Sequence, residues 1–218
     1  MSEVKVNKIS PATGTAFTLG DSGDTFTIPS GATIANSGTA TGFGGGMVKL
    51  LATTLTGAAA GIAFDSTYIT STYDNYYVTV NGLLPVTDNA DIGIYLSVDN
   101  GSAFATHVSG NRYQQLNGTG DGWQNSNNAH YMVHDASNVA GEIKVNGFAI
   151  IEAVNDTTCW KSIYGSGMTQ NSGTKTNDYS YNTFTSFQST TAVNYMIIKA
   201  NSGNLQGFGT ATLYGITK

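Results

Sequence analysis

The chain has 218 residues, of which 11% are charged, with a net charge of −5 and a single arginine, Arg112. An average soluble domain is ~25% charged, and tracking nucleic-acid phosphates takes clustered Lys and Arg, so a nucleic-acid partner is not expected. One cysteine, Cys159, excludes an intramolecular disulfide framework.

The opening MSEVKVNKIS lacks the apolar run of a secretory signal, which predicts a soluble chain made in a cytoplasm. Residues 16–42 repeatedly start a strand and abandon it. The pair Ser-Gly recurs at 22–23, 30–31 and 37–38, and each pair is a turn signal. Between and around these turns, short Thr-rich segments carry Phe17, Leu19, Phe26, Ile28 and Ile34. Short strands at a steady spacing mark stacked β structure, yet one copy of this segment has almost no interior. Burying such a side chain contributes roughly 1.5–3 kcal/mol. Ordering the backbone costs ~1–2 kcal/mol for each of ~25 residues. The deficit predicts that these five residues serve oligomerisation, each rung meeting its copies around a three-fold axis and pairing its strand edges. Disorder is the competing outcome.

Gly42-Phe43-Gly44-Gly45-Gly46 marks a boundary, dividing an N-terminal segment, 1–46, from a second domain, 47–218. Residues 47–64 read as a strand and a turn. The apolar stretch from Leu50 to Phe64 is broken by Thr and Gly and too short to span a bilayer, so no membrane insertion is expected. Beyond Asp65, YYVTV (76–80), IGIYLSV (92–98), EIKVNGFAII (142–151), CWKSIYG (159–165), NYMIIKA (194–200) and ATLYGI (211–216) are β-branched and aromatic, mostly with a period of two. The predicted fold is all-β: a jelly-roll-like β-sandwich preceded by a short intertwined, trimeric β segment.

Candidate chemistry is sparse. Glu142 and Glu152 read as one strand, ~33 Å apart and too distant to flank a glycosidic bond. No nucleophile elbow, phosphate loop or Cys/His cluster is present, so neither catalysis nor a cofactor is expected. His130 and His134, read as half-exposed positions on a strand, would lie ~13 Å apart and could not share a metal ion. Cys159 reads as a half-buried strand residue. Sugar recognition fits better. The polar segments RYQQLNGTGDGWQNSNNAHY (112–131) and GMTQNSGTKTNDYSYNTF (167–184) read as loops, where recognition residues concentrate. Their candidate glycan-binding residues are Tyr113, Asp121, Trp123, Asn125, Tyr179 and Tyr181, with aromatic faces for sugar C–H surfaces and polar side chains for hydroxyls. Against this stands Trp123 packing beneath its own loop.

VNKISPATGTAFTLGDSGDTFTIPSGATIANSGTATGFG (6–44) resembles the N-terminal region of fibre and tail-tip proteins of tailed bacteriophages, marine ones especially. SGNLQGFGTATLYGITK (202–218) resembles the last strand of the compact β-domain such proteins carry. The resemblance implies a homotrimeric virion component that contacts the host surface, with other virion proteins as partners and a virion location reached without a signal peptide. A capsid head fibre or decoration protein is the alternative, and a glycan-cleaving depolymerase a more distant one. If the opening segment shares its interior between copies, deleting residues 1–46 leaves a soluble β-domain that has lost most of its self-association. Light scattering checks this; a truncation that is still fully trimeric would relocate the contacts to the sandwich.

Overall fold

The structure, a computed structural model, describes residues 9–11, 13–15, 18, 20–25, 27–33, 46–104, 108–115, 120–124, 129–170 and 178–217, with backbone alone for 108–115, 120–124 and 178. The chain divides into two units, Met1–Phe43 and Gly44–Lys218. Among the described residues the first unit contains turns and no strand. Ser22-Gly23 and Ser30-Gly31 are turns: the Asp24 N–H donates to the Asp21 carbonyl (3.0 Å) and that of Ala32 to Pro29 (3.1 Å). Gly23 and Gly31 take φ of 96° and 86°, a left-handed conformation that a side chain would strain. Ile28 is exposed in the single chain. Phe17, Leu19, Phe26, Ile34 and the Ser37-Gly38 pair lie outside the described residues.

The second unit is all-β. Its strands are β1 (Met47–Thr54), β2 (Ile62–Phe64), β3 (Asn75–Leu83), β4 (Ala90–Ser97), β5 (Val108–Gln115), β6 (Gly120–Gln124), β7 (His130–Ala136), β8 (Val145–Glu152), β9 (Lys161–Gln170), β10 (Asp178–Phe187), β11 (Tyr195–Ala200) and β12 (Thr210–Ile216). They form two antiparallel sheets, β1-β12-β3-β8-β9-β10-β5-β6 and β2-β11-β4-β7. The chain passes repeatedly between the sheets, and the β5–β6 and β9–β10 hairpins widen the larger one.

Strict alternation builds the core. Along β3, Tyr76, Val78 and Val80 are buried, while Tyr77, Thr79 and Asn81 face outward. The inner layer joins Phe64, Ile92, Ile94, Ile151, Met196 and Leu213, all fully buried.

Several sequence expectations are corrected. Segments 112–131 and 167–184 are largely strand, in β5, β6, β9 and β10. Ladder pairing with neighbours outweighs the weak β propensity of Asn, Gly and Ser. Glu142 precedes β8, its carboxylate accepting from the Ser137 hydroxyl, so it shares no strand with Glu152. Cys159 is exposed in the connection between β8 and β9. His130 and His134 lie on β7, but both are buried rather than half-exposed.

The sheets come closest where β7 packs on β9 and β10. A Cβ on Gly167 would lie 2.6 Å from the Met132 carbonyl oxygen and 2.8 Å from Val133 Cγ1, so only glycine lets β7 approach. Gly167→Ala forces β7 outward and is expected to destabilise the domain by about 1–3 kcal/mol, read as a lower urea midpoint.

Candidate functional site

Pairing register lays out the outer face of the large sheet. One row crosses it through Lys49, Tyr214, Tyr77, Ile150, Tyr164 and Phe184, one residue from each of β1, β12, β3, β8, β9 and β10. The next row is Thr212, Thr79, Phe148, Ser166 and Asn182. On the other side, Glu152 pairs with Ser162 and Ser162 with Ser186. From Tyr214 to Phe184 an apolar belt thus runs across the strands, flanked by hydroxyl, amide and carboxylate groups except on β8, where Phe148 adjoins it.

The belt's rings touch. Tyr77 lies 6.0 Å from Tyr214 and 5.7 Å from Phe148, the ring planes tilted by 45° and 38°. Tyr164 and Phe184 stack at 6.2 Å and 22°. Exposure increases from Tyr214 to Phe184: Tyr214, Tyr77 and Ile150 are half-buried, Tyr164 is 37% exposed and Phe184 60%. Beside the stacked pair lies a shallow trough of about 440 Å³, lined by Glu152, Ser162, Ile163, Tyr164, Phe184, Thr185 and Ser186. In it the Ser162 hydroxyl donates to Glu152 Oε2 at 2.6 Å. At the β8–β9 turn, the buried Lys161 Nζ donates to the carbonyls of Asp156 (2.6 Å) and Cys159 (3.4 Å). The Asp156 carboxylate accepts from Thr158 and Cys159, which hold its pKa down at about 2.

The small sheet treats its outer aromatics differently. Tyr95 and Tyr131 are buried there against Phe104, from the loop after β4, and Lys199 Nζ lies 4.4 Å from the Tyr95 ring centre.

Beneath the belt lies a polar layer between the sheets. His130 is completely buried, with Nδ1 2.8 Å from Thr185 Oγ1 and Nε2 3.0 Å from Thr183 Oγ1. The Thr183 hydroxyl donates to the Gly165 carbonyl (3.4 Å), so it accepts from Nε2–H, and Nδ1 accepts from Thr185. Thr183 and Thr185 flank Phe184 on β10, so this network anchors the strand bearing the most exposed ring. Nearby, the His134 ring lies edge-on to Tyr131 and Tyr181, its Nδ1 3.3 Å from Asp91.

The residues singled out from sequence are dispersed. Tyr181 is fully buried, its hydroxyl donating to the His134 carbonyl at 3.0 Å. Tyr179 stacks on it at 6.0 Å and packs against the core. Both take the inward parity of β10, so Tyr181 has no surface to offer a glycan. Tyr113 pairs with Thr183 and Gly122, and Asp121 with Gln114. Trp123 pairs with Arg112, which pairs with Phe184, so the belt's register continues through both; Asn125 lies outside the described residues. Sequence reasoning missed Tyr77, Phe148, Tyr164, Phe184 and Tyr214. At Tyr77 and Tyr164 the available signal was an aromatic on the opposite parity from Val78 and Val80, and from Ile163; β10 has no aliphatic residue to set the parity of Phe184.

Comparison with protein-family models, curated proteins and solved structures finds no match to this chain.

Burial, and secondarily the neighbouring His134, pushes the pKa of His130 from 6.5 down to about 3. Unfolded, the ring takes a proton near pH 6.5; folded, it does not. Between about pH 6.5 and 3 the unfolded state binds more protons, so stability is lost as pH falls, by up to about 1.4 kcal/mol per unit. Above pH 6.5 this contribution is constant. Thermal melts are expected to fall steeply below pH 6.5, and His130→Gln, less stable at neutral pH, to show a shallower dependence.

Proposed function

We propose that this chain is a non-enzymatic structural component of a bacteriophage virion: a homotrimeric tail-fibre or tail-tip protein whose β-sandwich touches glycan on the host surface. The observation that carries the reading is the ring belt between hydroxyl- and amide-bearing flanks on the large sheet. A sugar ring has C–H groups on its faces and hydroxyls around its rim. Aromatic faces, negative at their centres, suit the first, and Ser, Asn and Glu side chains suit the second.

The strand order supports the same reading. Sets β1-β12-β3-β8 and β2-β11-β4-β7 interleave as in a jelly roll, here enlarged by two hairpins. That architecture serves both virion and lectin domains, but fold alone assigns no activity, so the weight rests on the face. The first unit is the trimerising and virion-attaching part, its apolar residues shared between copies.

An antibody to residues 47–218 is expected to label the tails of intact particles. Label spread over capsids would favour a decoration protein, and unlabelled particles would end the virion reading. Full-length protein is expected at three times 22.7 kDa and bound to host-envelope polysaccharide. Phe184→Ala is expected to weaken that binding about tenfold, as for the loss of one ring contact of about 1.4 kcal/mol.

A further inference from the structure

We infer that the ligand of this face is a single extended, uncharged, β-1,4-linked polysaccharide chain lying across the strands. The inference deepens the glycan-contact reading and rests on it. Direction is the first reason. Apolar side chains follow one another across the sheet at Tyr77, Ile150, Tyr164 and Phe184. Along β3, β9 and β10 the next outward positions are instead Thr79, Ser166 and Asn182; on β8 it is Phe148, whose ring lies against Tyr77. A polymer with repeating C–H faces meets its partners only by running perpendicular to the strands.

Spacing is the second. Neighbouring strands are ~4.8 Å apart, about the advance per sugar of an extended chain whose rings are linked through equatorial bonds. Successive sugars in such a chain are turned over, so equivalent faces recur at every second strand, ~10 Å apart, the separation of β3 and β9, which carry Tyr77 and Tyr164. An α-1,4-linked chain coils and falls out of step within a few residues.

Ring attitude narrows the ligand to one chain. Within the belt, the Tyr214–Tyr77 and Tyr164–Phe184 ring planes differ by 45° and 22°, and a sheet turns by ~20–25° per strand. A flat crystalline surface would meet one or two of these rings; a single chain can twist along with them. Charge supplies the last restriction. Glu152 is the one charged residue lining the trough on a chain of net charge −5, and the row's two cations by register, Lys49 and Arg112, lie outside the Tyr214–Phe184 run, so along the rings complementarity disfavours a polyanion. An uncharged sugar can donate hydroxyl hydrogens to Glu152.

The test is calorimetric titration of the full-length protein with β-1,4-linked hexamers of glucose, mannose and N-acetylglucosamine. The α-1,4-glucose hexamer, a polyuronate hexamer and sedimentation with crystalline cellulose and chitin serve as comparisons. At least one β-1,4 hexamer is expected to bind, ~10-fold or more tighter than its dimer. Tyr164→Ala and Phe184→Ala each reduce that affinity ~10-fold. Val139→Ala, exposed elsewhere, leaves it unchanged, and circular dichroism verifies the fold of each variant. Equal affinity for dimer and hexamer, equal affinity for the α-linked chain, or preference for the polyuronate or the crystalline solids would overturn the inference. If no hexamer binds while Phe184-dependent adhesion to host-envelope polysaccharide persists, the ligand class falls and the glycan-contact reading stands. If that adhesion is absent too, both fall. A Phe184→Ala variant whose oligomeric mass changes would make the belt a seam between copies and overturn both.

Discussion

The close approach of β7 to the β9–β10 hairpin governs the second unit. Two features make it feasible: the absence of a side chain at Gly167, against which the Met132 carbonyl rests, and the pairing of both His130 ring nitrogens with Thr183 and Thr185. Buried polar groups are costly when unpaired, so the histidine is stable there only with both threonines in place. β10 is thereby held in one register, and with it the orientation of Phe184. The inner chemistry of the sandwich sets the outer.

That linkage gives the hairpins their role. On β12, β3 and β8, strands of the first interleaved set, the outward rings are half-buried against one another. On β9 and β10 the same row emerges as an exposed stacked pair with a trough beside it. Widening the sheet extends the belt without adding a core of its own, since β9 and β10 bury their inner faces against β7. The small sheet lacks such a free row because Phe104, from the loop after β4, and Lys199, on β11, cover Tyr95.

The two units meet the entropy of ordering in different ways. The second buries a continuous layer drawn from nearly every strand. The first has short apolar segments separated by Gly turns at positive φ, which fix local direction but create little interior. On the proposed reading, surface supplied by other copies makes up the difference.

By itself the sequence determined what is local. The Ser-Gly pairs at 22–23 and 30–31 had to be turns, because Gly tolerates the left-handed φ they require. Period-two segments such as YYVTV had to be strands, and enough of them made the fold all-β. It could not decide parity where both faces carry large apolar residues, as at Tyr76-Tyr77 and Ile163-Tyr164. Nor could it foresee that polar segments such as 178–187 pair as strands, so Tyr181 looked exposed while Phe184 drew no notice. Only the tertiary structure decided these points. Burial is a property of the opposing sheet, and a one-residue change of register exchanges every inward side chain for an outward one.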